Sequence, residues 1–241
     1  MSLSLVIPFY NEDKNIERVI SGLFNSLEKA SINYELVFVN NGSVDKSPKM
    51  LEDLAKEKPD RIKVVHVSVN QGYGWGIING LKIASGEYVG FMGGDGQIKP
   101  EDVIMVYHQI EKGNCDLAKA KRVSRKDGLL RKMVSFVYNH LFWVIFRVAS
   151  LDINGTPKIF HKDWLERLNL TAKDWFIDSE IMIKAKYLNL KVGEVPVEFL
   201  RREKGGSHVE FTTMLEFAKN MFNYRLGRGE IKEWKQKVLR S

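Results

Sequence analysis

The sequence predicts an α/β fold in which a mixed, mainly parallel sheet lies between helices. Apolar, β-rich runs indicate strands at residues 2–8, 34–39, 62–69 and 88–92, and segments of helical character separate them. Hydrophobic residues make up 44% of the 241-residue chain, which is enough for a well-buried core. Three successive strands end in polar or glycine-rich loops, which a parallel sheet collects at one edge. We therefore expect the functional site at that edge.

The second half of the chain continues the pattern. Residues 115–120 predict a further strand, and residues 191–200 predict an edge strand, because Pro196 has no amide hydrogen to give to a ladder. Helices are predicted at residues 14–30, 77–84, 101–112, 164–168 and 176–188, and the segments 212–225 and 230–240 are amphipathic.

The composition limits the classes of protein to consider. A net charge of +7 and a pI near 9.3 favour an anionic partner such as phosphate, nucleic acid or an acidic membrane surface. The single Cys115 excludes an internal disulfide and a multi-cysteine metal site. The chain opens on a predicted strand with no basic segment before it, so we expect no signal peptide and a cytoplasmic location.

The strongest functional signal lies in residues 85–101, which read SGEYVGFMGGDGQIKPE. An apolar strand there ends in glycines, which let a ligand approach the backbone, and Asp95 and Gln97 follow. A carboxylate and an amide oxygen are hard ligands, which suit Mg²⁺ or Mn²⁺ holding a diphosphate. The alternative interpretation is a glycine turn with an exposed aspartate.

A basic run leads into an apolar stretch at residues 133–146, MVSFVYNHLFWVIF, which is too short and too interrupted to span a bilayer. At helical spacing Arg131, Ser135 and Asn139 share one stripe, and most of the remaining surface is apolar. Such a helix is either buried or lies in a membrane interface, and the two are partly compatible. The basic run comprises Lys119, Lys121, Arg122, Arg125, Lys126, Arg131 and Lys132.

Two other functional classes have weaker support. Residues 72–76, GYGWG, follow a strand, but their spacing is not the G-x-G-x-x-G of a nicotinamide-binding fold, and no acidic ribose partner is clearly placed. The only support for a nucleic-acid-binding domain is the net charge. The basic run adjoins an apolar helix and does not alternate with exposed aromatic residues, which argues against this interpretation. We therefore expect no nucleic-acid partner.

Five segments, in order, resemble the family 2 glycosyltransferases of GT-A fold, and most of all the branch of dolichyl-phosphate mannose synthases and polyprenyl-phosphate glycosyltransferases. They are VIPFYNE (6–12), VNNGSVD (39–45), NQGYGWGIINGLKIASGEYVGFMGGDGQ (70–97), DINGTPKIF (152–160) and EVPVEFLRREKGGS (194–207). The resemblance implies a GT-A domain at 1–210, with a nucleotide-sugar-binding half at 1–120, an acceptor-binding half at 121–210, and an amphipathic helical tail at 211–241.

The resemblance also implies roles for individual residues. The family's Asp-x-Asp metal motif keeps only its second aspartate, Asp95, followed by Gln97, so metal affinity should be weakened, and an altered or inactive homologue is an alternative. Arg122, Arg131 and Ser135 align with residues that receive an acceptor phosphate, and solvated surface arginines are the alternative. The implied donor-binding residues are Pro8, Tyr10, Glu12, Asn41, Gly72, Gly93, Gly94 and Asp95, with Arg201, Arg202 and Lys204 on a basic flap.

The donor base and the catalytic base depend on two further departures. The family's Asp-Asp-Gly-Ser loop is Asn-Asn-Gly-Ser here, at residues 40–43, and an asparagine that both accepts an imide N–H and donates to a carbonyl favours uridine over guanosine. Asp178 and Glu180 lie where inverting relatives keep an acidic motif. We expect Asp178 to be a catalytic residue, as the general base, only if the acceptor is a hydroxyl. A phosphate acceptor is already ionised near neutrality and needs little help from a base.

The resulting expectation is an inverting glycosyltransferase that moves a sugar from a UDP- or GDP-linked donor to polyprenyl or dolichyl phosphate. A phosphate oxygen would displace the nucleoside diphosphate in line at the anomeric carbon, with Mg²⁺ or Mn²⁺ and the flap cations stabilising the leaving group. Transfer to a sugar or other hydroxyl is the alternative. Membrane contact would be peripheral, through the apolar stretch and its basic neighbours.

Overall fold

The computed structural model describes residues 2–125, 129–150, 152–200, 211–228 and 230–238. Its strands are β1 (Leu3–Phe9), β2 (Tyr34–Asn41), β3 (Ile62–Val67), β4 (Tyr88–Phe91), β5 (Leu117–Arg125), β6 (Lys158–His161) and β7 (Val192–Phe199). Its helices are α1 (Asp13–Lys29), α2 (Ser47–Glu57), α3 (Tyr73–Leu81), α4 (Pro100–Glu111), α5 (Leu129–Phe146), α6 (Asp163–Leu168), α7 (Ile177–Tyr187), α8 (Phe211–Arg225) and α9 (Glu230–Val238).

The strands form one mixed sheet in the order β3-β2-β1-β4-β6-β5-β7. β1 pairs in parallel with β2 and β4, and β2 pairs in parallel with β3. β6 runs antiparallel to both of its neighbours, β4 and β5. β7 pairs in parallel with β5 and lies at the edge, as Pro196 predicts. The prediction of a mainly parallel sheet between helices is confirmed.

The central strands are apolar throughout because both of their faces are covered. In β1, Leu3, Leu5 and Phe9 pack into a hydrophobic cluster with α1 and α4, whereas Val6 packs into a second cluster with α3 and α7 on the opposite face. All seven residues of β1 are buried. This burial places the carboxyl end of β1 at a fixed position, next to those of β2 and β4.

The predicted start of the third helix is wrong. α3 begins at Tyr73 and not at residue 77, directly after Gly72, whose φ of 118° favours glycine. A Cβ at Gly74 would lie 2.2 Å from the carbonyl oxygen of Ala172. By propensity alone, a glycine-rich sequence predicts a loop. Here the start of α3 lies so close to the backbone of another segment that only glycine fits.

Two strand boundaries also differ from the prediction. Asn40 and Asn41 are the last residues of β2 and pair with His66 and Val67 of β3, so they do not belong to the following loop. β5 extends to Arg125 and therefore carries much of the predicted basic run. Within this strand Lys119 is completely buried, because its ammonium group has protein acceptors on neighbouring segments.

A helix can span a membrane only if it is about 20 residues long and predominantly apolar. No helix within the described ranges is both long enough and apolar enough to cross a bilayer. This finding agrees with the prediction for residues 133–146.

A buried carboxylate connects β2 to its neighbours at the edge of the sheet opposite the expected site. Glu35 accepts hydrogen bonds from the hydroxyl group of Ser4 and from Ser85, and its Oε2 lies 2.7 Å from the ammonium group of Lys63. Burial alone would raise the pKa of Glu35, but these donors lower it to about 2, from 4.5.

We predict that Glu35 makes the fold acid-sensitive. Because its folded-state pKa lies below the unfolded value, ionised Glu35 stabilises the protein above about pH 4.5, and this stabilisation is lost as the pH falls towards about 2. Glu35→Gln should lower the free energy of unfolding by about 2–3 kcal/mol at pH 7 and flatten its dependence on pH between these values. Denaturant unfolding at several pH values measures this, with the exposed Glu17→Gln as control. An equal acid dependence in Glu35→Gln and wild type would contradict it.

Candidate active site

The loops that follow β1 and β2 are hydrogen-bonded to each other at the carboxyl edge of the sheet. The hydroxyl oxygen of Ser43 accepts from the amide of Asn11 at 3.1 Å, and Asn11 Oδ1 accepts from the amide of Val44 at 2.9 Å. The hydroxyl oxygen of Ser47 accepts from the amide of Glu12 at 3.1 Å. The sequence predicts this convergence, and the bonds fix the loops as one unit.

Three predicted donor-binding residues lie on or beside β1. Pro8 is buried within the strand, and Tyr10 is partly exposed at its end. Glu12 is buried, and its Oε2 accepts from the side-chain Nδ2 of Asn15 at 2.5 Å. Tyr10 therefore presents a side chain to the edge, whereas Glu12 supports the start of α1. Their roles in donor binding remain predictions.

Asn41 presents one unpaired acceptor. Its Nδ2 donates to the carbonyl oxygen of Gly72 at 3.0 Å and to Asn70 Oδ1 at 3.3 Å, which uses both amide hydrogens. Its Oδ1 is buried and has no hydrogen-bond partner among the residues that the structure describes. The sequence argument that Asn41 offers a donor as well as an acceptor is therefore wrong, because the protein itself occupies the donor. A buried acceptor of this kind indicates a ligand that supplies an N–H or O–H.

The glycine loop after β4 places Asp95 at the same edge. A Cβ at Gly94 would lie 2.6 Å from the ring of Phe9, so only glycine fits there. A Cβ at Gly93 would meet only Asp95 Oδ1, at 3.6 Å, which is an ordinary contact. The missing first carboxylate of the family motif is thus a feature of this sequence and is not imposed by space.

Asp95 and Gln97 stabilise the loop through hydrogen bonds to the backbone. Asp95 Oδ1 accepts from the amide of Gln97 at 3.1 Å. Gln97 Nε2 donates to the carbonyl oxygen of Leu200 at 2.9 Å, and the amide of Leu200 donates to the carbonyl oxygen of Gln97 at 2.9 Å. The predicted metal loop is therefore attached to the end of β7. The flap residues Arg201, Arg202 and Lys204 follow directly in sequence and lie outside the described residues.

A buried turn at residues 152–157 collects the basic groups of the site. The Arg122 guanidinium donates to both carboxylate oxygens of Asp152, from Nε at 2.8 Å and from Nη2 at 2.6 Å. Lys119 Nζ donates to the carbonyl oxygen of Asp152 at 2.5 Å, and Lys158 Nζ donates to that of Gly155 at 2.9 Å. One turn thus satisfies cations from both β5 and β6.

The charges in this cluster depend on one another. Burial alone would raise the pKa of Asp152, but the guanidinium of Arg122 lowers it to about 2. Burial, followed by the nearby charge of Lys158, lowers the pKa of Lys119 to about 8. The Arg122 side chain is only 12% exposed, so it is not a solvated surface arginine.

Asp178 and Glu180, at the start of α7, have different environments. Asp178 forms an ion pair with Lys158, and both side chains are buried. Glu180 accepts from the amide and hydroxyl of Thr171, from the amide of Ala172 and from the hydroxyl of Tyr224, and it pairs with Lys184 at 2.6 Å. Glu180 therefore organises the backbone before α7, and only Asp178 faces the basic cluster.

Tyr73, at the start of α3, joins the two halves of the site. Its ring stacks on Trp175 with centroids 4.5 Å apart. Burial, and then the negative charges of Asp178 and Asp95, raise the pKa of the Tyr73 hydroxyl well above its usual value. Tyr73 therefore keeps its proton and lies within electrostatic range of both carboxylates. Sequence reasoning missed it because a loop was predicted at this position.

Ser135 and Asn139 of the predicted acceptor stripe lie on the inward side of α5. Tyr138 forms a hydrogen bond with the hydroxyl of Ser179 at 2.5 Å, and Asn139 Oδ1 accepts from the amide of Ile153 at 3.0 Å. Ser135 lies one helical turn before these residues and is half-buried. The side chain of Arg131 lies outside the described part of the structure. α5 is therefore attached both to α7 and to the 152–157 turn.

The donor set for a metal contains one carboxylate and one amide. No group of three or more His, Cys, Asp or Glu side chains that could hold an ion exists within the described residues. Asp95 and Gln97 offer hard oxygens, which fit an ion that takes its other ligands from a diphosphate and water, as Mg²⁺ does. The residues present thus fit a substrate-bridged ion and do not form a closed protein cage.

With this geometry in place, comparison with known proteins establishes the family. Residues 4–168 match the family model described as glycosyl transferase family 2. The chain belongs to glycosyl transferase family 2 and is a glycosyltransferase.

Curated relatives cover almost all of the chain. A dolichol-phosphate mannosyltransferase of Pyrococcus furiosus is 29% identical over 239 residues, which are 96% of this chain and 66% of that protein. A dolichyl-phosphate beta-glucosyltransferase of Trichomonas vaginalis is also 29% identical, over 96% of this chain and 76% of its own length. A dodecaprenyl-phosphate galacturonate synthase of Rhizobium johnstonii is 26% identical, over 93% and 68%. The chain thus spans about two thirds of the length of the archaeal relative.

Solved structures confirm the GT-A fold. Glucosyl-3-phosphoglycerate synthase from Mycobacterium tuberculosis, solved with Mn²⁺, UDP and phosphoglyceric acid, has a TM-score of 0.73 and 20% identity, covering 95% of this chain and 80% of that one. TarS of Staphylococcus aureus, solved with UDP-GlcNAc, has a TM-score of 0.64 and 20% identity, covering 95% and 68%.

Proposed function

We propose that this glycosyltransferase transfers a sugar from a nucleoside diphosphate to a polyprenyl phosphate, with inversion at the anomeric carbon. The observation that carries the proposal is a contrast among the relatives. Their names specify three different sugars, but each specifies a dolichyl or polyprenyl phosphate. The lipid phosphate is therefore the shared chemistry, and the sugar is the part that varies.

The basic cluster supports a phosphate acceptor. Arg122, Lys119 and Lys158 lie on adjacent strands, and the register of β5 and β6 pairs Lys119 with Lys158. Lys119, Arg122 and Lys158 face Asp152 and Asp178, and Glu194, 3.5 Å from Lys119, also lies 3.9 Å from a fourth cation, Lys121. Four cations and three carboxylates leave the cluster with an excess of one positive charge. Such a field attracts an anion and lowers the cost of bringing its charge into the site.

The proposed reaction requires no proton transfer from the acceptor. An ionised phosphate oxygen forms a bond to the anomeric carbon while the bond from that carbon to the leaving diphosphate breaks, and the electron pair departs with the diphosphate. Asp95 and Gln97 would hold a divalent ion, which supplies positive charge to the leaving group when bound. The Tyr73 hydroxyl keeps its proton and can donate a hydrogen bond to an oxygen of the donor.

Measuring how UDP binding depends on the metal ion tests the part of the proposal that concerns the nucleotide-sugar donor. Asp95→Ala should lose the increase in affinity that Mn²⁺ gives to wild type and should abolish sugar transfer, because the only carboxylate of the metal motif is removed. Isothermal titration with UDP, with and without Mn²⁺, measures the effect. Asp60→Ala, an exposed aspartate before β3, is the matched control. Retention of Mn²⁺-dependent binding by Asp95→Ala would refute the metal assignment.

For the nucleotide we infer uridine. The buried Oδ1 of Asn41 has no hydrogen-bond partner in the described part of the chain, and uracil presents one imide N–H between two carbonyl groups. Guanine presents its N1–H beside an amino group, so a single acceptor satisfies only part of its donors. The solved neighbours that contain UDP or UDP-GlcNAc are consistent with this choice.

We therefore predict that UDP binds at least about tenfold more tightly than GDP, because each lost hydrogen bond in a buried site costs about 1–3 kcal/mol. Asn41→Ala should weaken UDP binding by a similar factor. Asn114→Ala, an exposed asparagine before β5 at the opposite edge of the sheet, is the control. Competitive titration of UDP and GDP against the same Mn²⁺-loaded protein measures both values, and tighter binding of GDP would contradict the assignment.

The outward side of α5 supports peripheral membrane contact. Tyr138, Asn139 and Phe142 face the protein, whereas the opposite side exposes apolar residues at helical spacing. Phe222, on α8, adds to the exposed apolar surface. The exposed residues of α5 are Phe136, Val137, Leu141, Trp143 and Val144. The helix is thus buried on one side and exposed on the other, and its exposed apolar side supports the proposed membrane contact.

We predict that Phe136→Ser combined with Trp143→Ser releases the protein from vesicles of anionic phospholipid. Loss of two exposed aromatic side chains removes the apolar area that enters the membrane interface, and binding should fall by at least about tenfold. Co-sedimentation with the vesicles measures it. Ile83→Ser combined with Met105→Ser, two exposed apolar residues that lie after α3 and on α4, is the control. Equal binding by both double variants would exclude α5 as the contact.

A further inference from the structure

The ion pair between Lys158 and Asp178 is unusually well enclosed. The Lys158 side chain is completely buried and the Asp178 side chain is 6% exposed. Lys158 extends from β6, and its ammonium group donates to Asp178 and to the carbonyl oxygen of Gly155. A buried lysine with these partners is costly to maintain for stability alone, because replacing such a pair by apolar residues is often neutral or stabilising.

The position of the pair connects it to the reaction. Lys158 pairs in register with Phe91, the last residue of β4, from which the chain continues through the glycine loop to Asp95. The charge of Asp178 reaches the Tyr73 hydroxyl, which also experiences the charge of Asp95. The Lys158–Asp178 pair is thus linked to the metal loop through the backbone of β4 and, electrostatically, through Tyr73.

Asp178 is poorly arranged to act as a proton acceptor. A general base must reach the proton it removes, directly or through one water molecule. Here Asp178 is buried and its Oδ1 accepts from a buried ammonium group. The pair instead favours a carboxylate that stays ionised and fixed while charge develops at the reaction centre.

We propose that Lys158 is a positioning residue for sugar transfer, which holds Asp178 as a fixed, ionised carboxylate and not as a catalytic base. This rests on the proposed function. The groups that face Asp178 are Lys158 from β6, Tyr73 from α3 and Tyr138 from α5. Those that act on Lys158 are Asp152 from the buried turn and Arg122 and Lys119 from β5. Among these described neighbours the second carboxylate, Asp152, is bound by the guanidinium of Arg122.

The proposal makes a distinctive prediction for Lys158→Met, which keeps the length of the side chain and removes its charge. Asp178 then lacks its partner ammonium group and is no longer held in place. We expect the rate of nucleoside diphosphate release to fall by at least tenfold, and Lys158→Arg, which restores the positive charge, to recover most of this loss. UDP affinity should stay within twofold of wild type, so that kcat changes and donor binding does not. Lys162→Met, an exposed lysine that follows β6, is the control.

The double variant Lys158→Met with Asp178→Asn keeps the test decisive if the single variant does not fold. Measured as donor hydrolysis without a phosphate acceptor, its rate should equal that of Asp178→Asn, because Lys158 then acts only through Asp178. A wild-type rate in Lys158→Met, or a further tenfold loss in the double variant under these conditions, would overturn the proposal. Nucleoside diphosphate release reports donor cleavage with any acceptor. Failure of the lipid-phosphate proposal would appear separately, as donor turnover without labelled lipid.

Discussion

The arrangement of the site depends on the burial of positive charge between β5 and β6. Lys119 and Lys158 are fully buried, and Arg122 is nearly so, which is tolerable only because the turn at residues 152–157 gives each of them an acceptor. A Cβ at Gly155 would lie 2.1 Å from the carbonyl oxygen of Ala120, so the turn can approach β5 this closely only with glycine at that position. The turn fixes Arg122 directly and Asp178 through Lys158.

The same turn connects the two substrate regions. On one side lie Asn41, at the end of β2, and Asp95, in the loop after β4. Asn41 is hydrogen-bonded to Gly72 and packs against Gly76, and Gly94 of the Asp95 loop packs against Phe9. On the other side α5 bonds to Ile153 and Ser179 through Asn139 and Tyr138. The helix that exposes an apolar surface is therefore attached to the elements that carry Asp152 and Asp178, and a lipid bound there would lie beside the basic cluster.

Much of the architecture follows from sequence pattern, whereas the chemistry of the buried charges does not. The apolar runs of β1 and β2 predict buried parallel strands, and the glycines around Asp95 predict a ligand loop, because these patterns reflect local physics. Lys119 and Lys158 belong to the site because they bind a turn that lies more than thirty residues after Lys119. The sequence shows a basic run and a turn-rich segment, but it does not show that the two are in contact. Tyr73 was missed because glycines at 72, 74 and 76 predict a loop, while tertiary packing makes them the start of α3. The charge of Lys119 among the apolar residues Leu117, Ala118 and Ala120 was a local signal of it.

The central proposal is that the acceptor is a lipid phosphate, and one transfer assay tests it directly. The most direct measurement is transfer of radiolabelled sugar from UDP-glucose, UDP-N-acetylglucosamine or GDP-mannose to a short polyprenyl phosphate in detergent, beside the matched polyprenol, with Mn²⁺ or chelator. Labelled lipid formed from the phosphate but not from the alcohol, and lost with chelator, is the result expected from the basic cluster and the metal loop. Label on the alcohol, or equal label on both, would contradict a phosphate acceptor and return Asp178 to the role of catalytic base.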